Sequence, residues 1–185
     1  MKIEKTHVKT SWYVTSLALL LAFLNPVTES LETVNQWLFM LSHYFLFVGG
    51  FLLSYKVVRG PSVWIVPSAF LAVLWHLPYF FALAGAFLTF RAMNDASMIA
   101  SGVLAGIGAG SLSVMKKLGL LIVWMTADTV YSIVFLLQFP QYSNSAYPFS
   151  PFPISQEVNT AIAMWVVMSG VIVYVLGGFL KELLL

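Results

Sequence analysis

The sequence predicts an all-α protein that crosses a membrane as a bundle of six helices, with both chain ends on the inner side. Three observations lead to this fold class. The composition is 60% hydrophobic and 9% charged, whereas charged residues make up about 25% of an ordinary soluble domain. Six apolar runs follow one another, each near the roughly 20 residues that a helix needs to cross the hydrocarbon. The positive charges fall almost entirely on one side of the predicted bundle.

Short polar segments separate these runs, and no soluble domain or internal repeat interrupts them, so we expect residues 1–185 to form one transmembrane helical domain. In order, the predicted helices cover residues 11–27, 35–55, 62–88, 96–113, 118–138 and 159–180. Lone strands are excluded, because their edges would leave unpaired backbone groups in lipid. The first run could instead be a signal peptide, but no small-residue cleavage site precedes Glu29, so we expect it to be retained.

The distribution of charge predicts the orientation. With the N-terminus inside, eight of the nine lysines and arginines lie in inner segments, and only Arg91 lies outside. The outer segments hold the acidic residues Glu29, Glu32, Asp95 and Glu157. Because positive loops stay on the cytoplasmic side, we expect a multi-pass protein of the cell membrane with both termini inside.

Two further segments have a recognisable composition. Gly102, Gly106 and Gly110 recur every four residues, which predicts close approach of another helix backbone, or of a cofactor. The loop 139–158 is rich in proline and aromatic residues and has no Lys or Arg. Aromatic rings favour the membrane interface, so this loop is predicted to be an outer lid, with a docking surface for a partner as the alternative.

One acidic residue, Asp128, falls near the middle of the fifth predicted helix. A carboxyl group at that depth costs at least about 2.5–3.5 kcal/mol, so it should face the interior of the bundle. Either it pairs with Ser, Thr, Tyr or Trp side chains, or it moves a proton or holds a metal ion.

Two of the three histidines lie inside apolar runs, His43 in the second and His76 in the third, whereas His7 lies in the charged N-terminal tail. An imidazole in hydrocarbon is costly unless something binds it. Met40 precedes His43 by three residues and shares its helix face. Imidazole and thioether donors together suit copper, especially Cu(I), and two opposed imidazoles suit haem iron. The alternative is two separate histidines, each hydrogen-bonded within the bundle.

The two histidines are predicted to lie at different depths. His43 is roughly 12 Å and His76 roughly 18 Å from the outer ends of their helices, and helix tilt could bring both to one site. Pro78 has no backbone N–H, so the hydrogen-bond ladder opens beside His76. Met164 and Met168 enter the outer half of the last helix one turn apart.

Several classes of function lack their motifs. The sequence has no Gly-x-Ser-x-Gly turn, phosphate-binding loop, dinucleotide fingerprint or His-Glu-x-x-His element, so we expect no enzyme of those classes. The inner loops are too short and too weakly basic to bind nucleic acid. Cysteine is absent, which excludes disulfides, iron–sulfur ligation and thiolate metal sites.

Two short stretches carry a family resemblance: SHYFLF at residues 42–47 and WHLPYFFALA at residues 75–84. They resemble the integral-membrane cytochrome c oxidase assembly factors called CtaG, and are similar to a related archaeal family of uncharacterised membrane proteins. The pair Met164-Trp165 is similar to the closing motif of that family. A further His-x-x-x-His of the CtaG pattern reads Asn94-Asp-Ala-Ser-Met98 here, so only His43 and His76 carry over.

The resemblance implies delivery of copper to a haem–copper terminal oxidase, or maturation of that oxidase, with oxidase subunits as partners. A second possibility is a b-type haem subunit of a membrane electron-transfer complex, with His43 and His76 as axial ligands. A third is a non-catalytic interaction subunit whose glycine stripe and lid contact partner helices. The metal site expected under the first possibility consists of His43, His76 and Met40.

Overall fold

The computed structural model describes residues 2–3 and 10–184, and within them the chain is all-α apart from one pair of two-residue strands. The strands β1 (Lys2–Ile3) and β2 (Val58–Arg59) pair antiparallel. The helices are α1 (Thr10–Phe23), α2 (Pro26–Glu32), α3 (Gln36–Ser54), α4 (Ile65–His76), α5 (Pro78–Ala86), α6 (Leu88–Ala109), α7 (Val114–Leu136) and α8 (Glu157–Leu184). Short 3-10 turns occupy Ser62–Trp64, Pro140–Tyr142 and Ile154–Gln156. The predicted all-α class is confirmed, and His7 lies outside the described residues.

Three segments are each long and apolar enough to cross a membrane: Gln36–Ser54, Val114–Leu136 and Ile154–Gly178. Two bent pairs, α1 with α2 and α4 with α5, pass the same test when each is taken as one span, which gives as many as five. Helix α6 falls outside this count. The chain is therefore a helical, multi-pass membrane protein by length and composition, and the sixth crossing stays a prediction.

The first apolar run ends in a second, short helix rather than in an outer loop. α2 turns away from α1 by 55°. Asn25 caps α2, because its side-chain oxygen accepts hydrogen bonds from the backbone nitrogens of Val27 and Thr28, which is the role that a polar N-cap residue performs. The expectation that Glu29 and Glu32 occupy an outer loop was wrong, since both lie in α2 and Glu32 is buried.

The third apolar run is broken in the middle. α4 ends at His76 and α5 begins at Pro78, with an angle of 71° between them. The residue between them, Leu77, has the extended conformation that a residue before proline prefers. A single helix over residues 62–88 was therefore wrong, although the weak point beside His76 was predicted from Pro78.

Helix α6 begins at Leu88 rather than at Ala96, so Arg91 and Asp95 lie within it instead of in an outer loop. Both side chains are buried. The guanidinium group of Arg91 donates hydrogen bonds to the backbone oxygens of Ala84 and Gly85. These oxygens lie at the end of α5, where no further helical turn uses them.

The glycine stripe of α6 packs against α3, as predicted. A Cβ atom on Gly102 would overlap the carbonyl oxygen of Phe47, and one on Gly106 would overlap the hydroxyl of Ser54. These two glycines therefore allow the α3 and α6 backbones to approach closely. The separation of the two helices depends on the absence of side chains at these positions.

The lid loop folds back onto the helices. Phe152 is fully buried, and its ring centroid lies 5.6 Å from that of Phe39 and 5.9 Å from that of Phe81. The backbone nitrogen of Asn144 donates to the oxygen of Phe152 at 2.8 Å and closes the loop. The lid thus contributes a side chain to the core between α3 and α5.

Candidate functional site

His43, which is buried, and His76, which is half-buried, come together beside the core. The ring centroids of His43 on α3 and His76 on α4 lie 5.2 Å apart, with 58° between the ring planes. The two rings meet although the sequence predicted different distances from the outer ends of their helices; α4 ends at His76, where the chain turns into α5. The structure therefore places two of the three predicted ligands side by side.

The hydrogen bond of His76 fixes its tautomer. Its Nδ1 lies 2.7 Å from the carbonyl oxygen of Ala72, one turn earlier. A carbonyl oxygen can only accept, so Nδ1 carries the proton and Nε2 keeps a lone pair. This is the arrangement in which a backbone carbonyl orients a metal-binding imidazole.

The backbone beside His76 is also held from the lid. The hydroxyl of Tyr142 donates to the carbonyl oxygen of His76 at 3.0 Å. Burial raises the pKa of the Tyr142 hydroxyl, so this group remains protonated and keeps donating. The lid thus fixes the end of α4, where Pro78 interrupts the backbone hydrogen bonds of the helix.

His43 is only 2% exposed, and one of its ring nitrogens is bonded. Its Nε2 lies 2.8 Å from Nδ2 of Asn94 on α6. Its Nδ1 is buried and has no hydrogen-bond partner within the described part of the chain. A buried polar atom without a partner is rare, and here it lies on the ring adjacent to His76.

Aromatic rings surround the histidine pair. The ring centroids of Phe39 and Phe81 lie 4.7 Å and 6.3 Å from that of His43, and the ring of Tyr131 lies 5.3 Å from that of His76. These rings cover His43 completely and His76 in part. In such surroundings electrostatic and coordination bonds are stronger than in water.

Methionines are the other soft donors in this core. Met40 is fully buried one turn before His43, and Met98 and Met164 belong to the same buried cluster. Met168 is also buried, and its sulfur lies 3.8 Å from the hydroxyl of Thr129. Met40 stays the predicted third donor.

Within residues 2–3 and 10–184, no group of three or more His, Cys, Asp or Glu side chains is placed to hold a metal ion. A third protein ligand therefore has to be another type of residue, and Met40, one turn before His43, is the predicted one. The donor set and the unsatisfied His43 Nδ1 fit a soft ion of low coordination number, such as Cu(I).

None of the described hydrogen bonds of Asp128 connects it to His43 or His76. Its carboxylate accepts a hydrogen bond from the hydroxyl of Tyr44 at 2.6 Å, so it connects α7 to α3. The ring of Trp124, one turn earlier, packs against that of Tyr44 at 6.1 Å. The pairing role predicted for Asp128 is the one that its contacts support.

A second polar cluster was missed from the sequence. Asn94 Nδ2, which contacts His43, also lies 3.1 Å from the carboxylate of Asp95. The carboxyls of Asp95, Glu29 and Glu32 are close enough to repel one another. Arg91 lies among them and donates to the backbone oxygen of Glu29 at 2.9 Å. We call Glu29, Glu32, Arg91, Asn94 and Asp95 the outer polar cluster.

A helical pattern could have revealed this cluster. Arg91, Asn94, Asp95 and Met98 follow the i, i+3, i+4, i+7 spacing of one helix face, and all four are buried. Charged residues commonly separate membrane helices, so the charges of Arg91 and Asp95 predict a loop instead. The cluster instead joins α2 to α6 and extends to His43.

Comparison with known proteins identifies the family of the chain. The family described as "Protein of unknown function (DUF1404)" matches residues 14–182. The chain belongs to this family. The DUF1404 match includes both histidines and the entire outer polar cluster. No curated protein and no solved structure matches the chain. The resemblance to CtaG therefore stays a prediction.

Proposed function

We propose that this DUF1404 protein binds one Cu(I) ion between His43 and His76 and transfers it during assembly of a haem–copper terminal oxidase. The observation that carries the proposal is the buried His43 Nδ1 without a partner, on a ring 5.2 Å from that of His76. An ion shared with the Nε2 lone pair of His76 would bind this nitrogen when the proton of the His43 ring lies on Nε2. The oxidase as recipient rests on the resemblance to CtaG.

The chemistry of the site favours Cu(I) over other ions. Zinc in a structural site takes four ligands, of which sulfur is supplied by thiolate, and this chain has no cysteine. Cu(I) is selected by soft thioether donors, and Met40 offers one next to His43. The packed phenyl rings of Phe39 and Phe81 at His43 occupy space that a haem macrocycle between the two imidazoles would need.

We also propose that the chain crosses the membrane six times, with both ends inside. Counting α1–α2, α4–α5 and α6 as one crossing each gives this number, and the buried Arg91 and Asp95 account for the low hydropathy of α6. The chain lacks cysteine, so single cysteines report on topology without background. A membrane-impermeant maleimide should label cysteines at Ser30 and Ser145 from outside, but not one at Ser62. Labelling at Ser62 in intact cells contradicts the orientation.

The metal proposal is tested on the purified protein. We expect about one copper per chain after anaerobic loading with Cu(I), measured by elemental analysis, and no Soret band in the visible spectrum. A Soret band in protein isolated from cells supports a haem-binding subunit instead. Binding of neither group supports an interaction subunit.

Three histidine variants locate the site. His43→Ala and His76→Ala should each lose the copper, and the double variant should be no worse than either single one, because both residues belong to one site. His7→Ala is the matched control and should keep the full copper content. Additive losses of stability with unchanged copper content would mean that the two histidines are separate structural groups.

A further inference from the structure

The hydrogen bonds around Asn94 fix the position of the His43 proton. The amide nitrogen Nδ2 of Asn94 lies 2.8 Å from His43 Nε2 and 3.1 Å from Asp95 Oδ1. An amide nitrogen only donates, so both of its hydrogens are used and Nε2 must accept. The proton of the neutral ring therefore lies on Nδ1. In this tautomer Nδ1 has no lone pair for a cation.

This arrangement leaves two buried atoms unsatisfied. His43 Nδ1 and Asn94 Oδ1 are both buried, and neither has a hydrogen-bond partner in the part of the chain that the structure describes. Asn94 is fully buried and His43 is 2% exposed, so bulk water does not compensate them. A side-chain amide can turn by half a rotation and exchange its oxygen and nitrogen within the same space.

We infer that Asn94 is a positioning residue that sets the ring tautomer of His43, and that the protonation of Asp95 sets the orientation of the Asn94 amide. This inference rests on the proposed copper site and describes its regulation. A cation can bind Nδ1 of the neutral ring only when the proton is on Nε2. Nε2 is then a donor and needs an acceptor, which is Asn94 Oδ1 after the amide has turned.

The turned amide requires a proton on Asp95. With Asp95 ionised, the turned Oδ1 would face a carboxylate, and two acceptors would repel each other. With Asp95 protonated, its O–H donates to Asn94 Oδ1, which also accepts from His43 Nε2. Binding therefore takes up one Cu(I) ion and one proton. The proton is bound by the carboxylate of Asp95. His43 stays neutral, and its own proton moves from Nδ1 to Nε2.

The charges around Asp95 support proton uptake. From α2, Glu29 and Glu32 bring two carboxyls, and from α6 itself Arg91 brings one positive charge. Asn94 connects Asp95 to the imidazole of His43 on α3, and the imidazole of His76 on α4 lies beside that of His43. Glu29 is only partly buried, so it connects the cluster to the outer surface, from which a proton can arrive.

The expected pH dependence has an unusual sign. Histidine sites ordinarily lose metal as the pH falls, because protons compete for the ring nitrogens. Here the apparent Cu(I) affinity should decrease as the pH rises through the titration of Asp95, by up to about tenfold for each pH unit, because one proton is bound with the metal. Ordinary competition at the rings should appear only at lower pH.

The tautomer can be measured without copper. In protein labelled with nitrogen-15 at histidine, the chemical shifts should show His43 protonated at Nδ1 in the metal-free state above the Asp95 titration, and at Nε2 below it. Asn94→Asp should hold the Nε2–H form throughout, because a carboxylate only accepts. A metal-free His43 that is protonated at Nε2 at every pH overturns the inference, even if copper binds.

Copper affinity provides the second measurement, by competition with a chromophoric Cu(I) chelator across the same pH range. Asp95→Asn should bind with an affinity that no longer falls with pH, because a neutral amide can satisfy Asn94 in either orientation. Asp128→Asn, the same change at a carboxyl bonded to Tyr44, should keep the wild-type pH dependence. An unchanged pH dependence in Asp95→Asn contradicts the inference but leaves the copper site standing. A titrating tautomer in a protein that binds no copper removes the proposed function alone.

Discussion

Replacing Gly102 by alanine should force α3 and α6 apart. The added Cβ would lie 2.8 Å from the backbone nitrogen of Phe51, whereas ordinary contact begins at 3.4 Å, so α3 must retreat by about 0.6 Å there and further at the carbonyl oxygen of Phe47. Backbone atoms cannot rotate away as a side chain can. Overpacking typically costs about 1–3 kcal/mol, and the gain from removing a helical glycine returns up to about 1 kcal/mol. Because the clash is with backbone atoms, the upper end of the cost applies, and we expect a net loss of about 2 kcal/mol in the free energy of unfolding.

The same change should weaken the candidate site. His43 lies on α3 and Asn94 on α6, joined by a bond of 2.8 Å, and Gly102 is about two helical turns beyond Asn94. Copper binding needs Asn94 Oδ1 within hydrogen-bond reach of His43 Nε2, and a wider gap removes that contact, so copper affinity should fall together with stability. Wild-type copper affinity in a destabilised Gly102→Ala protein would show that the helix separation does not control the site.

The assay is unfolding in detergent micelles, followed by circular dichroism. Gly119→Ala on α7 is the matched control, because its Cβ would meet no atom within 4 Å. That variant should unfold with the same or a slightly higher free energy, because only the helix-propensity gain remains. Equal destabilisation by both substitutions would refute the steric reasoning.

Two further predictions concern the contacts that hold the site in place. Tyr44→Phe should cost about 0.5–1.5 kcal/mol in unfolding free energy, because the buried Asp128 carboxyl loses its donor. Asp128→Asn should cost less, because its amide oxygen still accepts from the hydroxyl of Tyr44, and both variants should keep their copper content. Their double variant should lose about as much as Tyr44→Phe alone; strict additivity would show that the two groups act independently. Phe152→Ala should cost about 3–5 kcal/mol, because it empties a fully buried position. Phe149→Ala, on the same loop but 39% exposed, should cost far less in the same unfolding assay, and comparable losses would mean that the lid contributes through its exposed rings.

Much of the fold follows from local features of the sequence. The all-α class follows from composition, because a chain this apolar must satisfy its backbone groups within helices. Pro78 predicted the weak point of the third run, because it has no backbone N–H. Gly102 and Gly106 predicted the close contact of two helices. Each of these properties depends on one residue type or on a short pattern.

The sequence also singled out His43 and His76, because an imidazole inside an apolar run needs a partner. The sequence does not show how far apart the two imidazole rings lie, because that distance depends on how far the chain turns after α4. That angle of 71° is decided by packing of α5 against α6 and the lid. The proline only allows the turn.

The outer polar cluster is where local reasoning failed. Charges between apolar runs predicted a loop at Arg91 and Asp95, because an isolated helix cannot satisfy buried charges within a membrane. The tertiary structure supplies what the helix lacks: free carbonyl oxygens at the end of α5 for Arg91, and the ring of His43 for Asn94. The sequence alone determined which side chains are costly to bury. Only the assembled bundle decided which of them meet, because their partners come from helices far apart in the chain.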